Sequence, residues 1–88
     1  MTEVLKIEGD FDAAAAREIK PRLEELAASG QSVTVDLSDV EFIDSSGVGA
    51  LVFLHKRLIA SGQKLAVTGL KGQPLELLTY LRLADQLA

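Results

Sequence analysis

The most informative segment of the sequence is Asp36-Leu-Ser-Asp-Val-Glu-Phe-Ile-Asp-Ser-Ser-Gly-Val-Gly49. It overlaps an alternating stretch rich in β-branched residues, Val33-Thr-Val-Asp-Leu37, which is typical of a strand. Near its end stand Asp44, Ser45 and Ser46, residue types that favour the N-terminus of a helix. The segment therefore predicts a strand that continues through an acidic loop into a helix.

Strand and helix patterns alternate in the rest of the chain. The predicted strands cover 4–7, 33–37 and 65–68, and the predicted helices cover 13–28, 46–61 and 74–83. This order predicts one α/β domain over residues 1–88, with a central mixed sheet of about three to five strands covered by about three helices. A fourth strand is expected either in Val40 to Ile43 or in the last residues. Because Pro21 removes a helical hydrogen bond, a kink or break is expected near Lys20.

Composition excludes several classes of protein. A net charge of −4 has the wrong sign for nucleic-acid binding, and the absence of cysteine excludes a disulfide scaffold and a thiolate metal site. The longest apolar run, Val48 to Leu54, is far shorter than the roughly 20 residues of a membrane-spanning helix. The first residues also lack the features of a secretory signal. We therefore expect a cytoplasmic domain that does not insert into a membrane.

The residues do not support the interpretation that this protein is an enzyme. If Ser45 were a nucleophile and His55 its base, both would lie on one helix about 15 Å apart, well beyond the roughly 3 Å of a hydrogen bond. No nucleotide fingerprint is present, and capping and solvation account for the acidic residues of the loops. The sequence predicts no catalytic residue, cofactor or metal site.

Two interpretations of Asp44, Ser45 and Ser46 remain open from the residues alone. In the first, these residues cap the helix and do nothing else. In the second, an exposed hydroxyl at the helix start accepts a phosphate, which would meet the positive end of the helix dipole while Asp44 repels it.

The same residues resemble the signature of the STAS domain family, the module of bacterial anti-sigma factor antagonists and of sulphate-transporter tails. The resemblance covers nearly the whole chain with its spacing intact. It is carried by Gly9-Asp-Phe-Asp12, Val35-Asp-Leu-Ser38, Phe42-Ile43, Asp44-Ser-Ser-Gly-Val-Gly49, Leu65-Ala-Val-Thr-Gly-Leu70 and the helix over Leu75 to Leu83.

The resemblance implies a partner-switching protein. In the antagonist branch, the serine directly after the aspartate of the motif, here Ser45, is phosphorylated by an anti-sigma factor that is also a serine kinase. The unphosphorylated protein binds that kinase, phosphorylation ends the binding, and a phosphatase reverses the modification. Ser46 is then expected to be a cap. The alternative is a cytoplasmic STAS subunit of a phospholipid-transport ABC system, in which the motif docks on the ATPase.

A docking surface is predicted where two strand-to-helix turns meet. If the first two strands are parallel neighbours, both turns lie at the carboxyl edge of the sheet. Phe53 has two interpretations, an exposed anchor for the partner or a side chain packed under a neighbouring element. We call the following residues the docking surface: Asp10, Asp12, Asp44, Ser45, Ser46, Gly47, Gly49 and Phe53.

Overall fold

The computed structural model describes residues 2–87 and contains three strands and four helices within that range. The strands are β1 (Thr2–Glu8), β2 (Ser32–Asp39) and β3 (Leu65–Thr68). The helices are α1 (Ala13–Ala28), α2 (Ser45–Ala60), α3 (Gly72–Tyr80) and α4 (Ala84–Leu87). The predicted α/β architecture is confirmed, and α4 is a single additional turn. None of the helices in the described part of the chain is long and apolar enough to cross a membrane.

The sheet has the order β1-β2-β3, and both strand pairs are parallel. The expectation of a mixed sheet is therefore wrong for residues 2–87. The stretch from Val40 to Ile43 is not a fourth strand either, because the Val40 amide donates to the Leu37 carbonyl at 3.0 Å and turns the chain at the end of β2. The last described residues form α4, so they add no strand.

The core lies between the sheet and the helices α1 and α2. Alternate residues of β2 enter it, among them Val33, Val35 and Leu37, each at most 1% exposed. Helix α1 packs against α2, and α2 also packs against β3. On the opposite face of the sheet, Val4 and Lys6 are exposed. Because β1 and β2 are parallel, the helices that follow them, α1 and α2, both begin at the carboxyl edge of the sheet.

Helix α1 continues through Pro21 without a break, which corrects the expectation of an interruption near Lys20. Pro21 is exposed, as is Arg17, whose carbonyl loses its helical partner. Water can solvate that carbonyl, so the cost of the missing hydrogen bond is reduced. Beyond the proline, Leu23 and Leu26 are buried in the core and hold the second half of the helix in place.

Candidate functional site

The turns that follow β1 and β2 are joined at the carboxyl edge of the sheet. Phe11 and Ile43 form an isolated parallel bridge, in which the Phe11 amide donates to the Phe42 carbonyl at 2.8 Å. The Asp44 amide in turn donates to the Phe11 carbonyl at 3.4 Å. Phe11 and Ile43 are both 0% exposed, so they anchor the two turns in the core. The parallel neighbours on which the predicted docking surface depends are present.

Asp44 is the residue that caps α2. Its Oδ1 accepts hydrogen bonds from the amides of Ser46 at 2.8 Å and Gly47 at 3.2 Å. The expectation that Ser46 is the cap is therefore wrong, because Ser46 lies inside the first turn and donates its amide to the true cap. Ser45 is the first residue of the helix and is exposed to solvent. Its hydroxyl is thus accessible to a modifying enzyme.

The two glycines of this turn have different environments. Gly47 is buried, and a Cβ built there would collide with the Phe11 carbonyl oxygen and lie 2.7 Å from Cγ1 of Ile43. Gly47 is therefore required for close packing, and its predicted place in the docking surface stays a prediction. Gly49 is exposed, and a Cβ there would meet nothing within 4 Å. The first glycine lets the helix approach the turn after β1, and the second keeps the outer side of the helix narrow.

The turn after β1 contains the cap of α1. This cap is Asp12, whose Oδ1 accepts a hydrogen bond from the Ala15 amide at 3.1 Å. Asp12 is half-buried, whereas Asp10 is exposed beside it. Each of the two long helices thus begins at an aspartate, and both aspartates lie at the same edge of the sheet.

The acidic residues before α2 are partly balanced within the domain. A hydrogen bond from the Ser38 amide to Oδ1 of Asp36, at 2.9 Å, stabilises the charged form and lowers the pKa of that carboxyl. Nζ of Lys6 lies 3.1 Å from Oδ2 of Asp39, and this hydrogen-bonded ion pair raises the pKa of the lysine. Glu41 is exposed and forms no salt bridge among the described residues. The loop therefore keeps a negative charge close to Ser45.

Gln73 is a site residue that the sequence analysis missed. From the first turn of α3, its Oε1 accepts from the Ile43 amide at 2.8 Å and its Nε2 donates to the Ile43 carbonyl at 2.9 Å. The side-chain amide thus pairs with the backbone as a neighbouring strand would. It fixes the loop before Ser45 to a helix that lies 30 positions further along the chain. A lone glutamine in a helix gives no sequence signal for this role.

We expect the Gln73→Ala variant to lose about 1–3 kcal/mol of unfolding free energy, because both backbone groups of a buried residue lose their partner. Urea denaturation followed by far-UV circular dichroism measures the change. The matched control is Gln86→Ala, since Gln86 is exposed in α4 and its side chain makes no hydrogen bond among the described residues. The control should stay within about 0.5 kcal/mol of the native protein. Equal stabilities of the two variants would show that the amide does not hold the loop.

Two partly exposed aromatic residues lie on either side of Ser45 in the sequence, Phe42 before α2 and Phe53 within it. Phe42, which the predicted docking surface does not include, is 45% exposed and lies two positions before the capping aspartate. Phe53 is half-buried, packs against the edge of the core, and lies under Arg57, whose Cζ is 5.4 Å from the centroid of its ring. The packing interpretation of Phe53 is therefore supported, and its role as an anchor for a partner stays a prediction.

Among residues 2–87, no group of three or more histidine, cysteine, aspartate or glutamate side chains is placed to hold a metal ion. His55 also lies on α2, more than two helical turns beyond Ser45. Its Nδ1 is buried and makes no hydrogen bond within the described residues. The start of α2 thus combines the accessible hydroxyl of Ser45, an acidic loop that ends at the capping Asp44, and the exposed ring of Phe42.

Comparisons of the whole chain agree with this picture. A family model described as "Mlab, STAS domain" matches residues 1–88. The anti-sigma-B factor antagonist of Bacillus subtilis (strain 168) is 28% identical over 81 residues, which are 92% of this chain and 74% of that protein. The sequence is thus distantly similar to a known antagonist.

Solved structures share the fold at lower identity. A sulfate transporter family protein from Wolinella succinogenes superposes with a TM-score of 0.82 at 21% identity, over 99% of this chain and 71% of the other. The anti-sigma factor antagonist SpoIIAA in its unphosphorylated form gives 0.76 at 20% identity, over 90% and 74%. SpoIIAA of Bacillus in its phosphorylated form gives 0.76 at 19% identity, over 99% and 80%. These likenesses concern the fold.

Proposed function

The chain belongs to the STAS domain family, and on this basis we propose that it is an anti-sigma factor antagonist whose activity is controlled by phosphorylation of Ser45. STAS domains are generally non-catalytic, and in this proposal the chemistry is performed on the domain by a partner. The unphosphorylated protein binds an anti-sigma factor that is also a serine kinase. Phosphorylation of Ser45 ends that binding, and a phosphatase restores it.

The observation that carries the proposal is the accessibility of the Ser45 hydroxyl at the start of α2. Ser45 is exposed, while the neighbouring Asp44 is held in a fixed orientation by two amides of the same turn. A kinase can therefore reach the hydroxyl without unwinding the helix. The distant similarity to an anti-sigma-B factor antagonist supports an anti-sigma factor as the class of partner.

A phosphate at Ser45 would disturb binding more than folding. It adds a charge of about −1.5 to −2 next to a loop that is already acidic. In the free domain this charge faces water and the positive end of the α2 dipole, which favours anions. In a complex the same charge must be desolvated against the partner, which is costly without a new cation opposite it.

We expect Ser45→Asp to weaken binding to the anti-sigma factor by about 30-fold or more, equivalent to ~2 kcal/mol. The stability of the free variant should change by less than about 1 kcal/mol, because an acid at a helix start is favourable. Isothermal titration calorimetry measures the affinity, and urea denaturation measures the stability.

The matched control for this variant is Ala60→Asp, which adds the same charge at the opposite end of the same helix. The two positions are about 22 Å apart at 1.5 Å per residue. Binding of the control should remain within about threefold of the native affinity, since an exposed charge so distant is screened. Equal affinities of Ser45→Asp and the native protein, with the fold intact, would remove Ser45 from the switch.

The ABC-transporter alternative makes a different prediction for the same residue. As a subunit that docks on the ATPase of a phospholipid-transport system, the protein would use the unmodified Ser45 as a contact. It would then co-purify with the ATPase, and incubation with an anti-sigma kinase and ATP would leave Ser45 without phosphate. That pair of results would replace the antagonist proposal with this one.

A further inference from the structure

A groove of about 330 Å³ runs between α1 and α2 and begins beside the phosphorylation candidate. We call it the interhelical groove, and its lining residues are Ala13, Ala16, Arg17, Lys20, Leu23, Ser46, Ala50 and Phe53. On the α2 side, Ser46, Ala50 and Phe53 recur at i, i+4 and i+7, so they form one stripe along the helix. Arg57 extends that stripe by one further turn and covers the ring of Phe53.

The lining of the groove has an unusual charge for this acidic protein. The chain carries 13 acids and nine Lys plus Arg, yet two of the eight lining residues are cations and none is an acid. Arg17 and Lys20 are exposed, and neither forms a salt bridge among the described residues. The capping residues Asp12 and Asp44 lie at the end of the groove where both helices begin. Their carboxylates accept hydrogen bonds from backbone amides of those helices. The groove is therefore apolar along its floor and positive along the rim that α1 provides.

We propose that the interhelical groove binds an acidic amphipathic helix of a protein partner. Its alanines let another backbone approach closely, and the half-buried Phe53 provides apolar contact area. Arg17 and Lys20 are placed to pair with carboxylates on the flanks of that helix. The inference deepens the proposed function, on which it rests for the position of the docking surface, and names the chemistry of the segment that is bound.

The shape of the groove favours a helix over a small molecule. From Ala13 to Leu23, α1 rises about 15 Å, which is the length of a helix of roughly ten residues. Sites for small ligands usually enclose about 70–90% of the ligand surface, whereas this groove is open to solvent along its length. Recognition of an amphipathic helix by its apolar face in a groove is an established mode of protein binding.

The test uses two helix-stapled peptides of equal length that carry leucines at i, i+3, i+4 and i+7. One peptide has glutamates on both flanks of the apolar face, and the other has lysines there. Titration of ¹⁵N-labelled protein with each peptide locates the binding site and measures its affinity. We expect the glutamate peptide to shift the amides of Ala16, Lys20, Ala50 and Phe53, and to bind at least tenfold more tightly than the lysine peptide.

Three variants connect the binding to the groove. Ala50→Leu fills the groove and should weaken binding of the glutamate peptide at least tenfold. Lys20→Glu should reverse the preference between the two peptides. The matched control is Lys64→Glu, because Lys64 is exposed in the turn before β3 and lies outside the groove. This control should bind the glutamate peptide within about threefold of the native affinity, as expected for a screened surface charge.

Several results would overturn the inference. They are equal binding of the two peptides, perturbed amides outside α1 and α2, or absence of binding by either peptide. Displacement of the glutamate peptide by monomeric decanoate at lower concentration would assign the groove to an amphiphilic anion instead. None of these measurements uses the kinase or depends on phosphate at Ser45. Failure of the groove inference would therefore leave the phosphorylation proposal intact, and the two failures can be told apart.

Discussion

The Ser45→Ala variant is expected to take up no phosphate when it is incubated with the cognate anti-sigma kinase and ATP. The native protein should gain one phosphate under the same conditions, because the exposed hydroxyl at the start of α2 is the proposed acceptor. Intact-mass spectrometry counts the phosphates, and fragmentation of the labelled protein assigns the residue.

The matched control is Ser46→Ala, which removes the neighbouring hydroxyl and leaves Ser45 in place. Ser46 is half-buried at the end of the interhelical groove, so it is less accessible than its neighbour. Full labelling of Ser46→Ala together with unlabelled Ser45→Ala is the expected pair. If Ser45→Ala were phosphorylated and Ser46→Ala were not, the acceptor would be Ser46, and exposure of the hydroxyl would not explain the choice.

Gly47→Ala is expected to lower the free energy of unfolding by about 2–3 kcal/mol, as overpacking of a tight contact does. The added methyl group would collide with the Phe11 carbonyl oxygen and crowd Ile43, two partners that are anchored in the core. Neither partner can move without disturbing the bridge between the turns after β1 and β2. Urea denaturation measures this loss.

Gly49→Ala provides the matched comparison, because it makes the same substitution two residues further along the same helix. A Cβ at Gly49 meets nothing within 4 Å. Its main effect is then the better helix propensity of alanine, which should raise the unfolding free energy by about 0.5–1 kcal/mol. Opposite signs for the two variants are the expected result. A neutral or stabilising effect of Gly47→Ala would contradict the tight approach of α2 to the turn after β1.

Features that depend on local pattern could be predicted from the sequence. The periodicity of 13–28 matches α1 as found, and the predicted start of the second helix at Ser46 is one residue from the observed Ser45. The alternation over 33–37 correctly predicted β2, and its apolar positions are the ones that the structure buries. The capping role of Asp12 also follows from residue type and position, because a short acceptor before an amphipathic stretch satisfies free amides.

Features that depend on contacts between distant residues could not be predicted. Nothing local distinguishes Asp44 from Ser46 as the cap, since both residue types serve in that position. The burial of Gly47 depends on Phe11, which lies 36 positions earlier, and the pairing of Gln73 with Ile43 joins elements 30 positions apart. The stretch from Val40 to Ile43 was one of two places where a fourth strand was expected, yet Val40 and Ile43 are buried in the connection between β2 and α2.

The interhelical groove illustrates the same limit for the candidate site. Arg17 and Lys20 occur among several charged residues of α1, and their spacing is that of any solvated helix face. Only the packing of α1 against α2 places them around a shared apolar floor with Phe53. Ser45 could be predicted from its position in a motif, whereas the charged and apolar side chains of the nearby groove are brought together only by tertiary structure.

The most direct test is a calorimetric comparison of partner binding before and after phosphorylation. The protein is phosphorylated to completion, the phosphate is assigned to Ser45, and both forms are titrated with the same anti-sigma factor. We expect the unphosphorylated form to bind and the phosphorylated form to bind about 30-fold more weakly or worse, a difference of ~2 kcal/mol or more. Equal affinity of the two forms, with Ser45 fully phosphorylated and the fold intact, would contradict the proposed switch.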